Sequence, residues 1–122
     1  MTDPTLLVLA SLADGDKHGY AMMDDIERFA GVRLGPGTLY GAITRLEERG
    51  WIRGLDSDDR RRPYRITDAG RQALAEAVAQ MQRVADEGSA RLTAAAARRA
   101  GQRVARRRPA GGLVPPMAGG VA

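Results

Sequence analysis

Cysteine is absent from the chain and histidine occurs once, at His18. Neither a disulfide framework nor a thiolate metal site can be built from such a composition, and one imidazole is too few for most histidine-based sites. No metal or cofactor is expected, and the fold must stand on packing. No run approaches the ~20 consecutive apolar residues of a membrane span. The opening MTDPTLLVLASLADGD also lacks the basic start and small-residue cleavage pattern of a secretory signal. The expected class is a soluble, cytoplasmic protein with no membrane partner. Its 122 residues suffice for one core plus an extension.

The formal charge of +4 carries meaning only once it is located. Residues 1–32 hold Lys17 and Arg28 against six acids, a net of −4. Residues 33–65 hold eight arginines against five acids, a net of +3, and residues 66–100 come to +1. The remaining +4 lies in residues 101–122. The bulk excess therefore belongs to the tail, while the part able to fold is near neutral and polarised, with its basic share in the middle third.

Asp3-Pro4 reads as an N-cap followed by proline at the first helical position, with Leu6, Leu9, Ala10 and Ala13 on one face of a first helix. The Asp14-Gly15-Asp16 cluster breaks it. A second helical pattern runs from about His18 to Ala30, with Met22, Ile26 and Phe29 on one stripe, and Gly31 closes it. A third opens at Gly35-Pro36 and carries Leu39, Ala42, Ile43 and Leu46 toward the core before Gly50 caps it. The pattern then changes to a two-stranded ribbon, Trp51 to Leu55 and Arg60 to Ile66, around a turn at Asp56 to Asp59. Thr67 caps a long helix from Asp68 to about Ala100. Leu74, Val78, Met81 and Leu92 form a thin apolar seam along it, spaced for packing on another helix and read as a dimer interface. From Gly101 onward the Arg, Pro and Gly content is that of a chain unable to order itself.

The fold class is therefore mainly α with a small β-ribbon. Residues 1–67 form a winged helix-turn-helix DNA-binding domain, 68–100 a C-terminal dimerisation helix and 101–122 a disordered basic tail. In this order of elements the third helix and the ribbon carry the arginines. Pro36, Gly37, Thr38, Gly41, Thr44 and Arg45 form an outward face suited to a major groove. The glycines permit close approach, the threonines can hydrogen-bond or touch a thymine methyl, and Arg45 can reach guanine or phosphate. Glu48 on the same face repels phosphate and confines insertion to the first two turns. Arg60, Arg61 and Arg62 at the ribbon tip suit a backbone or minor-groove contact, and His18, Tyr20 and Tyr40 can reach phosphates or serve packing.

His18-Gly19-Tyr20, Gly35-Pro36-Gly37-Thr38-Leu39-Tyr40, Leu46-Glu47 with Gly50, and Tyr64-Arg65-Ile66-Thr67-Asp68-Ala69-Gly70-Arg71 follow one another at a spacing that resembles the PadR family of bacterial transcriptional regulators. The resemblance covers about residues 5–75. It implies a homodimer held by C-terminal helices, repression relieved by an effector or partner, and the shorter subfamily with a single C-terminal helix. Gly35 stands where that family often has serine, which removes a side-chain cap. Residues 68–100 contain no Trp, Tyr or Phe, so the aromatic ligand site of some members has no counterpart here.

Other residues call for plainer readings. His18 has no serine or cysteine nucleophile placed to use it, and nothing converges on an enzyme. Asp56, Asp58 and Asp59 lack the glycine and distal glutamate of a calcium loop. Trp51, Met22 and Met23 are read as packing residues, and Arg106, Arg107 and Arg108 as a non-specific DNA contact or a solubilising run. The sequence thus favours a dimeric repressor that binds an inverted-repeat operator in double-stranded DNA, with an unidentified small-molecule effector. Its rival is a winged-helix protein-interaction module without DNA binding.

Overall fold

The computed structural model describes residues 2–56 and 62–107. Three helices, α1 (Pro4–Leu12), α2 (Gly19–Ala30) and α3 (Pro36–Glu48), precede the hairpin β2 (Ile52–Gly54) and β3 (Pro63–Ile66), and α4 (Asp68–Arg107) follows. A two-residue strand, β1 (Lys17–His18), lies between α1 and α2 and pairs antiparallel with β3, giving a three-stranded sheet in the order β1-β3-β2. The ribbon expected from the sequence thus has a third strand. Two residues have no readable period, and the preceding Asp14-Gly15-Asp16 reads as a breaker.

The chain divides into two compact units, residues 1–81 and 82–122. In the first, Val8, Leu9 and Leu12 of α1 meet Met22, Met23 and Ile26 of α2 and Leu39, Ala42, Ile43 and Leu46 of α3. Ile52, Tyr64 and Ile66 close the core from the sheet. Each such Leu, Ile or Met contributes about 1.5–3 kcal/mol relative to an exposed position. On α3 the buried stripe is the expected one. On α1 it is turned, because Leu7, Val8 and Leu12 are buried while Ala10 is exposed. On α2, Met22, Met23 and Ile26 are buried as expected, whereas Phe29, expected on the same stripe, is 51% exposed.

Helix ends follow the local chemistry. Asp3 Oδ1 accepts from Thr5 N at 2.9 Å, and that backbone hydrogen bond holds the carboxyl below its usual value. Gly31 closes α2 at φ 69°, and Gly50, at φ 74°, follows α3 with its amide on the Glu47 carbonyl at 3.0 Å. Gly35 caps α3 without a side-chain bond, as its lack of an acceptor requires. Thr67 Oγ1 donates to the Gly50 carbonyl at 2.7 Å and accepts from Gly70 N at 3.1 Å, tying the end of α3 to the start of α4.

The helix α4 continues to Arg107, past the boundary expected at Ala100. Gly101 alone costs only about 1 kcal/mol, and the Gln, Arg, Val and Ala that follow are adequate helix formers. Residues 108–122 of the expected tail lie outside the described residues. Along the expected seam, Leu74 packs against the core, Val78 and Met81 are 49% and 42% exposed, and Leu92, in the second unit, is 74% exposed. Among the described residues no helix is long and apolar enough to cross a membrane.

Candidate nucleic-acid interface

The core stripe of α3 leaves Pro36, Gly37, Thr38, Thr44, Arg45 and Glu48 exposed and Gly41 half-buried. A side chain added at Gly37 would meet nothing within 4 Å. At Gly41 an added Cβ would find only Arg45 Nη1, at 3.6 Å, so the guanidinium lies back along the helix toward its N-terminal end. Thr44 Oγ1 donates to the Tyr40 carbonyl at 2.9 Å. Its proton is therefore committed to the helix, and a lone pair and the methyl remain for an outside group. Thr38 stays available at the first turn.

Behind α3 stands the start of α2. His18 Nδ1 accepts from Ala21 N at 3.3 Å, so the ring caps the helix and its remaining proton belongs on Nε2. Gly19 is buried beneath the Tyr40 hydroxyl, where any Cβ would collide with the ring. Tyr40 is therefore a spacer between α2 and α3 as well as a partly exposed hydroxyl. Tyr20, 60% exposed, projects from the same turn of α2. Tyr40 thus packs on Gly19 while part of its surface, 42%, stays exposed, and Tyr20 faces solvent.

Arg60 and Arg61 lie outside the described residues. Arg62 is exposed at the start of the returning arm, and its guanidinium crosses the hairpin over Gly54, in space that a Cβ would fill. Two further arginines, unassigned from the sequence, lie on the sheet: Arg53 and Arg65 are directly opposite in the β2–β3 register and both exposed. Like charges so placed repel. Asp16 offsets this, taking Arg65 Nε at 3.0 Å and Nη2 at 2.8 Å, and these bonds hold its carboxyl below the usual value. The Ile52–Arg53 alternation of a half-buried strand was the available signal for Arg53. Nothing in the sequence announced Asp16, which pairs across 49 positions.

Residues 8–76 match the model of the transcriptional regulator PadR-like family. The chain belongs to that family. PadR-like proteins are transcriptional regulators rather than enzymes. The chain is 41% identical over 75 residues to the transcriptional regulator Rv3488 of Mycobacterium tuberculosis, covering 58% of this chain and 68% of that one. It is 51% identical over 72 residues to an uncharacterized 37.1 kDa protein in transposon TN4556 of Streptomyces fradiae, covering 59% of this chain but about a fifth (21%) of that longer relative. Among solved structures, a PadR family transcriptional regulator from Eggerthella lenta superposes with a TM-score of 0.63 at 30% identity, over 72% of this chain and 80% of that one. The winged-helix architecture of this PadR-like regulator is thus shared with known members, and α3 with its hairpin is the part of the fold where the candidate residues gather.

Proposed function

We propose that this PadR-like regulator is a sequence-specific repressor that binds double-stranded DNA as a homodimer. One observation carries the reading. The face of α3 opposite its fully buried stripe is open at Gly37, half-open at Gly41, and flanked by exposed Thr38 and Arg45. Residues 36–45 enter the major groove, Arg45 reads a base edge, and Thr38 and Thr44 contact neighbouring bases. The arginines of the wing, Arg60, Arg61 and Arg62, and the hydroxyls of Tyr20 and Tyr40 contact phosphates, with His18 Nε2 as a further donor. Dimerisation is supported by Val78, Met81 and Leu92, apolar side chains on α4 that a single chain leaves 49%, 42% and 74% exposed. A two-fold axis makes the operator an inverted repeat, and release from it is assigned to a small-molecule effector.

Selection of duplexes from random DNA, followed by affinity for selected and scrambled sequences across a salt series, tests the reading. Enrichment of an inverted repeat bound with a steep salt dependence is expected. Failure to enrich any sequence, with binding to a protein partner instead, would establish the interaction-module reading in its place.

A further inference from the structure

The last acidic residue of the chain is Glu87. After it come seven arginines and no lysine, and the helix α4 runs on through six of them, Arg91, Arg98, Arg99, Arg103, Arg106 and Arg107. Arg91 is spent within the helix, its Nε 2.8 Å from Glu87 Oε2. Arg98, Arg99 and Arg103 are exposed, and none forms an ion pair with the described residues. Arg99 and Arg103 are four positions apart and so share one face of the helix. Like charges at four-residue spacing weaken a helix. The favourable end of the helix dipole compensates only over the last turn. A ladder of guanidiniums is thus ordered by backbone hydrogen bonding against its own repulsion, and a polyanion laid along it would relieve that repulsion.

We infer that the exposed arginines of α4, Arg99 and Arg103 on one face with Arg98 beside it, are a second contact surface for the phosphate backbone of double-stranded DNA, separate from the winged helix. Guanidinium groups are the better match to phosphate because they offer paired donors in a planar fork. An anionic membrane fits less well. Beyond Thr93 the helix has Val104 as its one apolar side chain larger than alanine, whereas an interfacial helix needs a broad apolar face to insert. Backbone contacts of this kind add affinity to every sequence alike and leave preference to α3. The inference rests on the DNA-binding reading for its setting but requires no operator.

The test uses the full chain with Arg98→Gln, Arg99→Gln and Arg103→Gln combined, since glutamine keeps helix propensity close to that of arginine. Each lost phosphate contact lowers the slope of log affinity against log salt by about 0.9, so three contacts flatten it by up to ~3. Between about 50 and 200 mM salt the wild type then loses roughly 40-fold more affinity than the variant. The ratio of selected to random DNA should not change. A combined Arg→Lys variant should keep the slope. An unchanged slope in the glutamine variant, equal loss in both variants, or an arginine-dependent interaction confined to phosphatidylserine vesicles would each overturn the proposal. A chain that enriches no sequence from random DNA would defeat the repressor reading while this comparison, made on random duplex, still stands or falls by itself.

Discussion

Gly70 and Gly88 lie in the same helix, yet replacement by alanine should act on them in opposite directions. A Cβ on Gly70 would collide with the Trp51 carbonyl oxygen and lie 2.9 Å from both Trp51 C and Ile66 Cγ1. That carbonyl also accepts from Thr67 N at 3.0 Å, so it cannot move without loosening the cap of α4. Alanine gains about 1 kcal/mol in helix propensity over glycine. Against this, overpacking onto a backbone atom costs about 1–3 kcal/mol, occasionally more, and the strained Thr67 bond costs about 1 kcal/mol further. The balance for Gly70→Ala is a net loss of about 1–3 kcal/mol, with each kcal/mol lowering Tm by roughly 4–8 °C in a domain of this size. Gly88 has nothing within 4 Å of an added Cβ, so Gly88→Ala keeps the whole propensity gain of about 1 kcal/mol. Thermal and urea denaturation followed by circular dichroism measure the first, and amide exchange around position 88 measures the second. A Gly70→Ala chain as stable as the wild type would refute the close seating of α4 on the end of α3.

Arg45→Ala should reduce preference for the selected site by roughly 1–3 kcal/mol if the side chain reads a base, and equal weakening on random DNA would reassign it to phosphate. Replacing Arg60, Arg61 and Arg62 together by alanine should flatten the salt slope by up to ~3 with preference retained, and an unchanged slope would remove the wing from the interface. Met81→Asp places a charge beside an apolar groove of about 320 Å³ bounded by Leu6, Leu7, Ala10, Phe29 and Leu74. It should convert dimers to monomers in sedimentation and abolish paired occupation of half-sites. Asp16 is held below the ordinary 3.8 by Arg65, so the ion pair contributes above that value and is lost as pH falls through the lowered one. Amide protection in β3 should drop over that acid range in the wild type but show no such step in Asp16→Asn.

The legible parts of the sequence were those in which period and cap chemistry agree. On α3, Leu39, Ala42, Ile43 and Leu46 recur at helical spacing between Gly35-Pro36 and Gly50, and all four are buried. On α1 the mean hydropathy is high along most of its length, so the apolar pattern marks a helix but does not say which side faces inward. Leu6 was read for the core face, whereas the neighbouring Leu7 and Val8 fill it, because contact with α2 and α3 decides the rotation. Phe29 is not closed over by the core and stays largely exposed beside Leu6 and Ala10 of α1. Pairings over long separation left no trace in the sequence. The bond from Arg65 to Asp16 and the stacking of Tyr40 on Gly19 exist only once the sheet and helices have assembled.

These pairings also divide the arginines by task. Arg33 is held by Asp24 at 2.7 Å and Glu27 at 3.0 Å, Arg28 by Asp25 at 3.2 Å, and Arg65 by Asp16. Arg49 lies 5.1 Å above the Trp51 ring, which favours a cation in that position. Exposed ion pairs contribute little stability, with a median of about 0–1 kcal/mol, so their consequence is chiefly electrostatic. They offset the charge of Arg28, Arg33 and Arg65 and leave Arg45, Arg49, Arg53, Arg62 and Arg71 of the first unit without an ion pair among the described residues. A uniformly basic surface would bind any polyanion, and the sequence read alone could not separate that case from a focused one. With those three guanidiniums paired, four of the five that remain among the described residues of the first unit lie on α3, its C-cap or its hairpin, and Arg71 lies on α4. On the proposed reading, non-specific attraction depends on the acid-free stretch of α4, and sequence preference on Arg45 of α3. The two contributions should therefore separate in mutants, one changing the salt slope and the other the ratio between sites.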